Sequence, residues 1–238
     1  MKYTLLLLLM LLPVFLKAQN QGTIEPRASG IADSVIAAMG GKSNWDNVHY
    51  IKWNFFGRRM LLWDKWTGNV RIEMPSKNLL ILTNINTRKG HVYRSGKELM
   101  QPDSNAYFMD RGFKIWANDS YWFIMPFKLK DPGVNLSYKG EVTDPDGKSC
   151  YLLELTFNKV GVTPENKYHV YVDRKNFLVT WWEYFEKFTD TEPGIRNPWM
   201  NYNRYGAILL SGDRGPEEGS ITDIAVMEVV DEAVFEKP

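Results

Sequence analysis

Cysteine is almost missing from this 238-residue chain: Cys150 is the only one. A lone thiol excludes an internal disulfide framework, so the fold must be held by packing. Histidine is nearly as scarce, and His49, His91 and His169 are scattered, with no second ligand type at i+2 or i+4. Local metal motifs are therefore excluded. Charge of one sign is also missing: 29 basic residues face 28 acidic ones. That balance leaves no electrostatic footprint for nucleic acid and no excess to steer the chain to a charged membrane. Catalytic signatures are absent as well, with no G-x-S-x-G, H-E-x-x-H or G-x-G-x-x-G. Gly41-Lys42-Ser43 and Gly147-Lys148-Ser149 look like phosphate-loop endings, but Ile36 and Val142 stand where the first glycine belongs, so both read as turns. Asp144 and Asp146 resemble the start of a calcium loop, yet Gly147 comes too early and no glutamate closes it. Among carboxylates, Glu183 with Glu186 or Asp119 with Asp131 could form a glycosidase couple, and nothing in the spacing selects either.

What is present begins with a leader. Met1-Lys2 supplies a positive start, Leu5 to Leu12 run apolar without a break, and Leu16-Lys17-Ala18 precede Gln19. The expectation is a secretory signal peptide over 1–18, too short to anchor in a bilayer. No cysteine stands at the cleavage point, so the processed chain should be exported, periplasmic or extracellular, and free of a lipid anchor. Residues 19–238 should form one domain, without integral membrane segments.

Within that domain, Ile31, Val35, Ile36 and Met39 recur at helical spacing between Pro26 and Gly40-Gly41, which predicts an amphipathic helix. Period-two alternation follows over 70–74, 134–142, 151–157 and 168–172, with further strand candidates at 48–56, 58–65, 79–85, 91–94, 177–186, 204–211 and 221–230. Turn chemistry separates them at Thr67-Gly68-Asn69, Thr87 to Gly90, Asp131-Pro132-Gly133 and Asp144 to Gly147. About ten or eleven strands curl rather than lie flat. The strands 48–56 and 177–186 are apolar on both faces and so need cover on both. Residues 104–125 read as helical, with Asn118-Asp119-Ser120 offering a kink and restart, and Pro126 pushing Met125 to extended backbone. Arg58 and Arg59 interrupt an apolar strand pair. Alternation sends one of them inward, where it needs acceptors from a covering helix or a ligand head group.

Several stretches in this order carry a family resemblance. They are MGG (39–41), WDNV (45–48), WDKWTGNVRIE (63–73), NDSYWFIMPFKLKDPGV (118–134) and NKYHVYVDRKNFLVTWWEYF (166–185). The chain resembles a family of uncharacterised exported proteins of Gram-negative bacteria whose architecture is similar to the outer-membrane lipoprotein carrier LolA and its partner LolB. The resemblance implies an α+β fold, a curved antiparallel half-open β-barrel with helices over its open face. It further implies acyl chains held between barrel and lid, and a barrel arginine, Arg58 or Arg59, bonding to the lid.

The expected function is a non-catalytic carrier or sensor of lipid-like or lipidated ligands in the cell envelope. Trp53, Phe55, Trp122, Phe123, Met125, Phe127, Trp181 and Phe185 are the expected cavity lining, with Arg58 or Arg59 at a head group. The expected partner is a hydrophobic small molecule or an acyl chain, with an envelope protein as a further partner class. Neither nucleic acid, metal nor cofactor is expected. The nine Trp, twelve Tyr and twelve Phe also admit two other readings. One is a secreted carbohydrate-active enzyme or glycan-binding module with exposed stacking platforms; the other is a structural envelope protein that binds through its surface.

Overall fold

The computed structural model describes residues 22–238, so the expected signal peptide lies outside the described residues. Pro26 opens helix α1 (Pro26–Ala38), where its missing N–H costs nothing. Gly40 closes it at φ +115°, a backbone conformation that side chains oppose. A six-residue helix α2 (Lys42–Asn47) follows. Six strands come next: β1 (Tyr50–Phe55), β2 (Arg59–Asp64), β3 (Asn69–Met74), β4 (Leu79–Asn84), β5 (Gly90–Arg94) and β6 (Lys97–Glu98). The long helix α3 (Pro102–Ile124) then runs into a 3-10 turn (Met125–Lys128). Five more strands follow, β7 (Val134–Thr143), β8 (Ser149–Phe157), β9 (Lys167–Asp173), β10 (Val179–Phe185) and β11 (Ile195–Pro198). The chain finishes with β12 (Asn203–Tyr205), β13 (Ile208–Leu210), a short α4 (Gly215–Glu218) and β14 (Thr222–Met227).

The strands form two large antiparallel sheets. One has the order β14-β1-β2-β3-β4-β5-β6 and the other β11-β10-β9-β8-β7, with β12 and β13 as a separate pair. Thr67 to Asn69, Thr87 to Gly90 and Asp144 to Gly147 join consecutive strands, whereas Asp131-Pro132-Gly133, expected between strands, leads from the 3-10 turn into β7. Both sheets are meanders apart from β14, which returns to the free edge of β1. Neither sheet closes on itself. The α+β class with open antiparallel sheets agrees with expectation, while fourteen strands replace the expected ten or eleven. The stretch 204–211 breaks into two short strands, and β6, β11 and α2 had no periodic signal because they are too short to show one.

Helix α3 is the centrepiece. It lies along β4 and β5 of the first sheet, while α1 rests on β7 and the 3-10 turn. Gly112 permits the close approach, since a Cβ there would stand 3.0 Å from Thr83 Cγ2 and 3.1 Å from Ile81 Cγ2. The other side of α3 faces the second sheet, where Tyr121 meets Phe157 of β8 and Tyr168 of β9. One apolar cluster therefore runs from Ile51, Trp53 and Ile72 through Phe123 and Met125 to Val170 and Trp182. The expected kink is absent: α3 is continuous through Asn118-Asp119-Ser120. Met125 is helical (φ −48°, ψ −38°) in front of Pro126, contrary to the local preference. Burial overrides that preference, because Met125, Phe127 and Leu129 are all in the core.

Candidate functional site

Two of the candidate positions resolve the arginine question. Phe56 and Gly57 both take positive φ in the β1–β2 turn, so Arg58 sits on an exposed loop rather than in alternation. Arg59 opens β2 directly opposite Phe55. From there its fork reaches Asp119 on α3, Nε to Oδ2 at 2.6 Å and Nη2 to Oδ1 at 2.5 Å. Asp119 is fully buried. Burial raises its pKa, while Arg59 and the Asn118 amide pull it back. The inward arginine thus bonds a helix carboxylate and is not a free head-group cation, while Arg58, exposed on its loop, lies outside the aromatic cavity described below.

Around this bridge the aromatics assemble as a wall between sheets. Trp53 packs on Phe123 with ring centroids 5.6 Å apart. Trp122 stands edge-on to Phe55 at 6.4 Å and to Trp182 of β10 at 4.7 Å. Phe127 stacks on Trp45 at 4.2 Å. The backbone carbonyl of Trp122 accepts from Arg214 Nε and Nη2 at 3.3 and 2.7 Å. Arg214 is itself buried and lies over the Trp199 ring. Burial lowers its pKa to about 9, which leaves the guanidinium charged at neutral pH.

Trp181 and Phe185 need correcting. The expected alternation placed both with Val179 on the inner face, but β10 carries a bulge between Val179 and Trp181. One extra residue, Thr180, shifts the phase, so Val179 and Trp182 point into the core together. Trp181 is turned outward and donates its indole N–H to Asp146. Phe185 is buried on that same outer face, beside His169 and under the Lys167 ammonium. Neither belongs to the inner wall.

A cavity of about 450 Å³ opens on the flank of α3 that faces the second sheet. Trp116, Tyr121 and Trp122 form the helix side, and Phe157, Tyr168 and Tyr184 the sheet side. The turn Asp131-Pro132 and the loop Val160 to Thr163 bound it. Of the expected lining residues only Trp122 is here; Trp53, Phe55, Phe123, Met125 and Phe127 are core residues with no share in it. Burial holds the Tyr121, Tyr168 and Tyr184 hydroxyls above the usual phenol range, so all three stay protonated. Tyr121 Oη and Trp116 Nε1 are buried in this wall without a protein partner, each at a cost of about 1–3 kcal/mol.

A second, larger recess of about 750 Å³ lies on the outer face of the first sheet, floored by Met60, Leu62 and Met227. Residues 230–238 lie along it, and Arg71 donates to the carbonyls of Val234 and Lys237. We favour the smaller cavity because aromatic rings from four elements line it, whereas the larger is a groove under the chain's own tail.

The outer face of the second sheet carries a row of charges across all five strands, Lys139, Glu154, His169, Glu183 and Arg196. Glu154 Oε1 and Oε2 lie 3.2 Å from Lys139 Nζ and His169 Nε2. Glu183 Oε2 is 3.1 Å from His169 Nδ1, and its Oε1 accepts from Arg196 Nε at 2.6 Å. Neither cavity touches this row. The suggested acid pairs dissolve accordingly: Asp119 binds Arg59, Asp131 binds Lys128, and Glu183 binds His169 and Arg196. Among the described residues no three His, Cys, Asp or Glu side chains gather as a metal site. Cys150 is buried, with its thiol pushed up to about 11 by burial. Asp144 accepts from Asp146 N, Lys148 N and Thr180 Oγ1, which makes its loop a plain turn.

Among the described residues no helix is long and apolar enough to cross a membrane. No known family profile matches the chain, and no curated protein matches it significantly. Among solved structures, a DUF1329 family protein from Desulfovibrio piger is similar over 88% of this chain and 97% of its own, at 16% identity and a TM-score of 0.48. A likeness at that level transfers no residue role.

Proposed function

We propose that the processed chain is an exported, non-catalytic binding protein, a carrier or sensor of lipid-like or lipidated ligands in the cell envelope. On this reading the two open sheets are a trough and α3 its cover, as in LolA-type carriers. The guest lies in the 450 Å³ cavity beside α3, a volume within the ordinary range for small-molecule sites. The supporting observation is the lining: aromatic rings of α3, β8, β9 and β10 surround a space that side chains do not fill. Close packing is the rule in protein interiors, so unfilled apolar volume is informative. The glycan reading requires exposed, coplanar tryptophans. Trp53, Trp63, Trp182 and Trp199 are instead buried, and exposed Trp66 is stacked on His49.

The test is native mass spectrometry of protein purified from its own envelope, together with uptake of a fluorescent fatty acid. Bound lipid in the wild type, weakened about tenfold or more by Trp122→Ala and unchanged by Trp181→Ala, is expected. A clean apo mass with no uptake would sink the reading. Circular dichroism of both variants separates lost binding from lost folding.

A further inference from the structure

We propose that the cavity beside α3 selects an uncharged amphiphile, an acyl chain ending in a hydroxyl, ester or amide, over a fatty carboxylate or a fatty amine. This rests on the binding reading above and specifies its ligand. The observation is the charge inventory of the wall. Of the residues that line the cavity, only Lys128 and Asp131 carry charge, and they bond to each other. Their side chains are 24% and 40% exposed, which puts the pair at the rim. All other polar lining groups are neutral: amides, hydroxyls and phenols. Asn166 donates to Thr163 Oγ1 at 2.6 Å and accepts from Tyr184 Oη at 3.4 Å, so the polar side is a network of uncharged donors and acceptors. The arginine that could have met an anion is engaged elsewhere, on Asp119.

The energetic consequence follows from pairing. A carboxylate entering this wall must draw Lys128 away and then face Asp131, a like charge. An ammonium must do the reverse and face Lys128. Either leaves a charge without its partner in a partly desolvated place, whereas a neutral head group breaks no ion pair.

The experiment uses the processed chain loaded with the neutral fluorophore N-phenyl-1-naphthylamine. Three competitors of equal chain length, 1-monolaurin, laurate and dodecylamine, are titrated at pH 7.5 below their critical micelle concentrations. Monolaurin should displace the probe about tenfold more tightly than either charged competitor. Asp131→Asn frees Lys128 and should improve laurate about tenfold while moving monolaurin less than threefold; Lys128→Met should do the same for dodecylamine. Laurate or dodecylamine matching monolaurin on the wild type would overturn the proposal, a comparison that needs no variant to fold. Failure of the fluorophore itself to bind overturns the binding reading and this inference together, so the two failures are told apart by the probe signal.

Discussion

Replacing Arg59 should cost more than replacing the partner it holds, and the reason is visible in their surroundings. The Asp119 side chain is 0% exposed and that of Arg59 is 20% exposed. Arg59→Met removes both guanidinium donors and strands a carboxylate in the interior, with the Asn118 amide at 3.0 Å as its remaining hydrogen bond and the charge of Arg58 as a weaker support. Breaking a buried pair from that side costs about 3–5 kcal/mol. Asp119→Asn keeps the volume and one carbonyl acceptor, and the orphaned guanidinium still reaches water and the Phe55 ring, 4.8 Å away. That loss should be about 1–2 kcal/mol. Removing both charges together, Arg59→Met with Asp119→Leu, should fall within about 1 kcal/mol of wild type, because a paired buried charge is replaceable by apolar volume.

The assay is urea unfolding of the processed chain followed by tryptophan fluorescence, with slopes compared so that only midpoints are interpreted. With Asp119→Leu measured alone to close the cycle, the coupling should be at least about 3 kcal/mol. The Arg59→Met deficit should also shrink on acidification. Burial already raises the Asp119 pKa, and without Arg59 it rises further, so protonation relieves the stranded charge as the pH falls. Arg59→Met costing no more than Asp119→Asn, or a double variant as damaged as the sum of its singles, would refute the account.

Other expectations follow from single contacts. In Glu154 and Glu183, burial raises the pKa but bonds to His169, Lys139 and Arg196 outweigh it, so both end below the usual 4.5. A carboxylate depressed in the folded state stabilises above its unfolded pKa and loses that contribution as the pH falls through the folded one. Acid unfolding curves should therefore steepen below about pH 4.5, and Glu154→Gln with Glu183→Gln should flatten them. Arg214→Met orphans the carbonyls of Trp122, Ser211 and Asp213 and should cost about 3–5 kcal/mol in calorimetry; a loss under about 1 kcal/mol would mean that the chain repacks around the gap. Gly40 and Gly41 both take positive φ, but a Cβ at Gly40 would lie 2.4 Å from Ala207 O while Gly41 has open space. Gly41→Ala should cost about 1–2 kcal/mol and Gly40→Ala clearly more, read as the difference between two melting curves.

Much of this frame was legible in the residues. The hairpins β2–β3, β4–β5 and β7–β8 are where the Gly, Asn and Asp-Pro turns announce them, and α1 and α3 follow the apolar period. Even the Arg59–Asp119 bridge leaves a trace, a carboxylate on the apolar stripe of a helix and a pair of arginines between apolar strands. Choosing the arginine was beyond alternation, since Arg58 belongs to a turn with positive φ at Phe56 and Gly57, and period two stops where a turn begins. The same limit misplaced Trp181 and Phe185. A one-residue bulge at Thr180 inverts every later side chain of β10, and no residue there advertises it.

The cavity escaped for a related reason. Counting aromatics pointed to large rings, and those are the ones most profitably buried, so Trp53, Phe55 and Phe123 became core. The unfilled space lies instead where a loop, Val160 to Thr163, helps to enclose the flank of α3. Strands impose periodic packing on whatever they face; a loop does not, and its side chains leave the helix flank uncovered. Open volume in such a fold is therefore to be sought at helix–loop contacts, where periodicity is silent, and under the proposed reading the charges of those few residues set what enters.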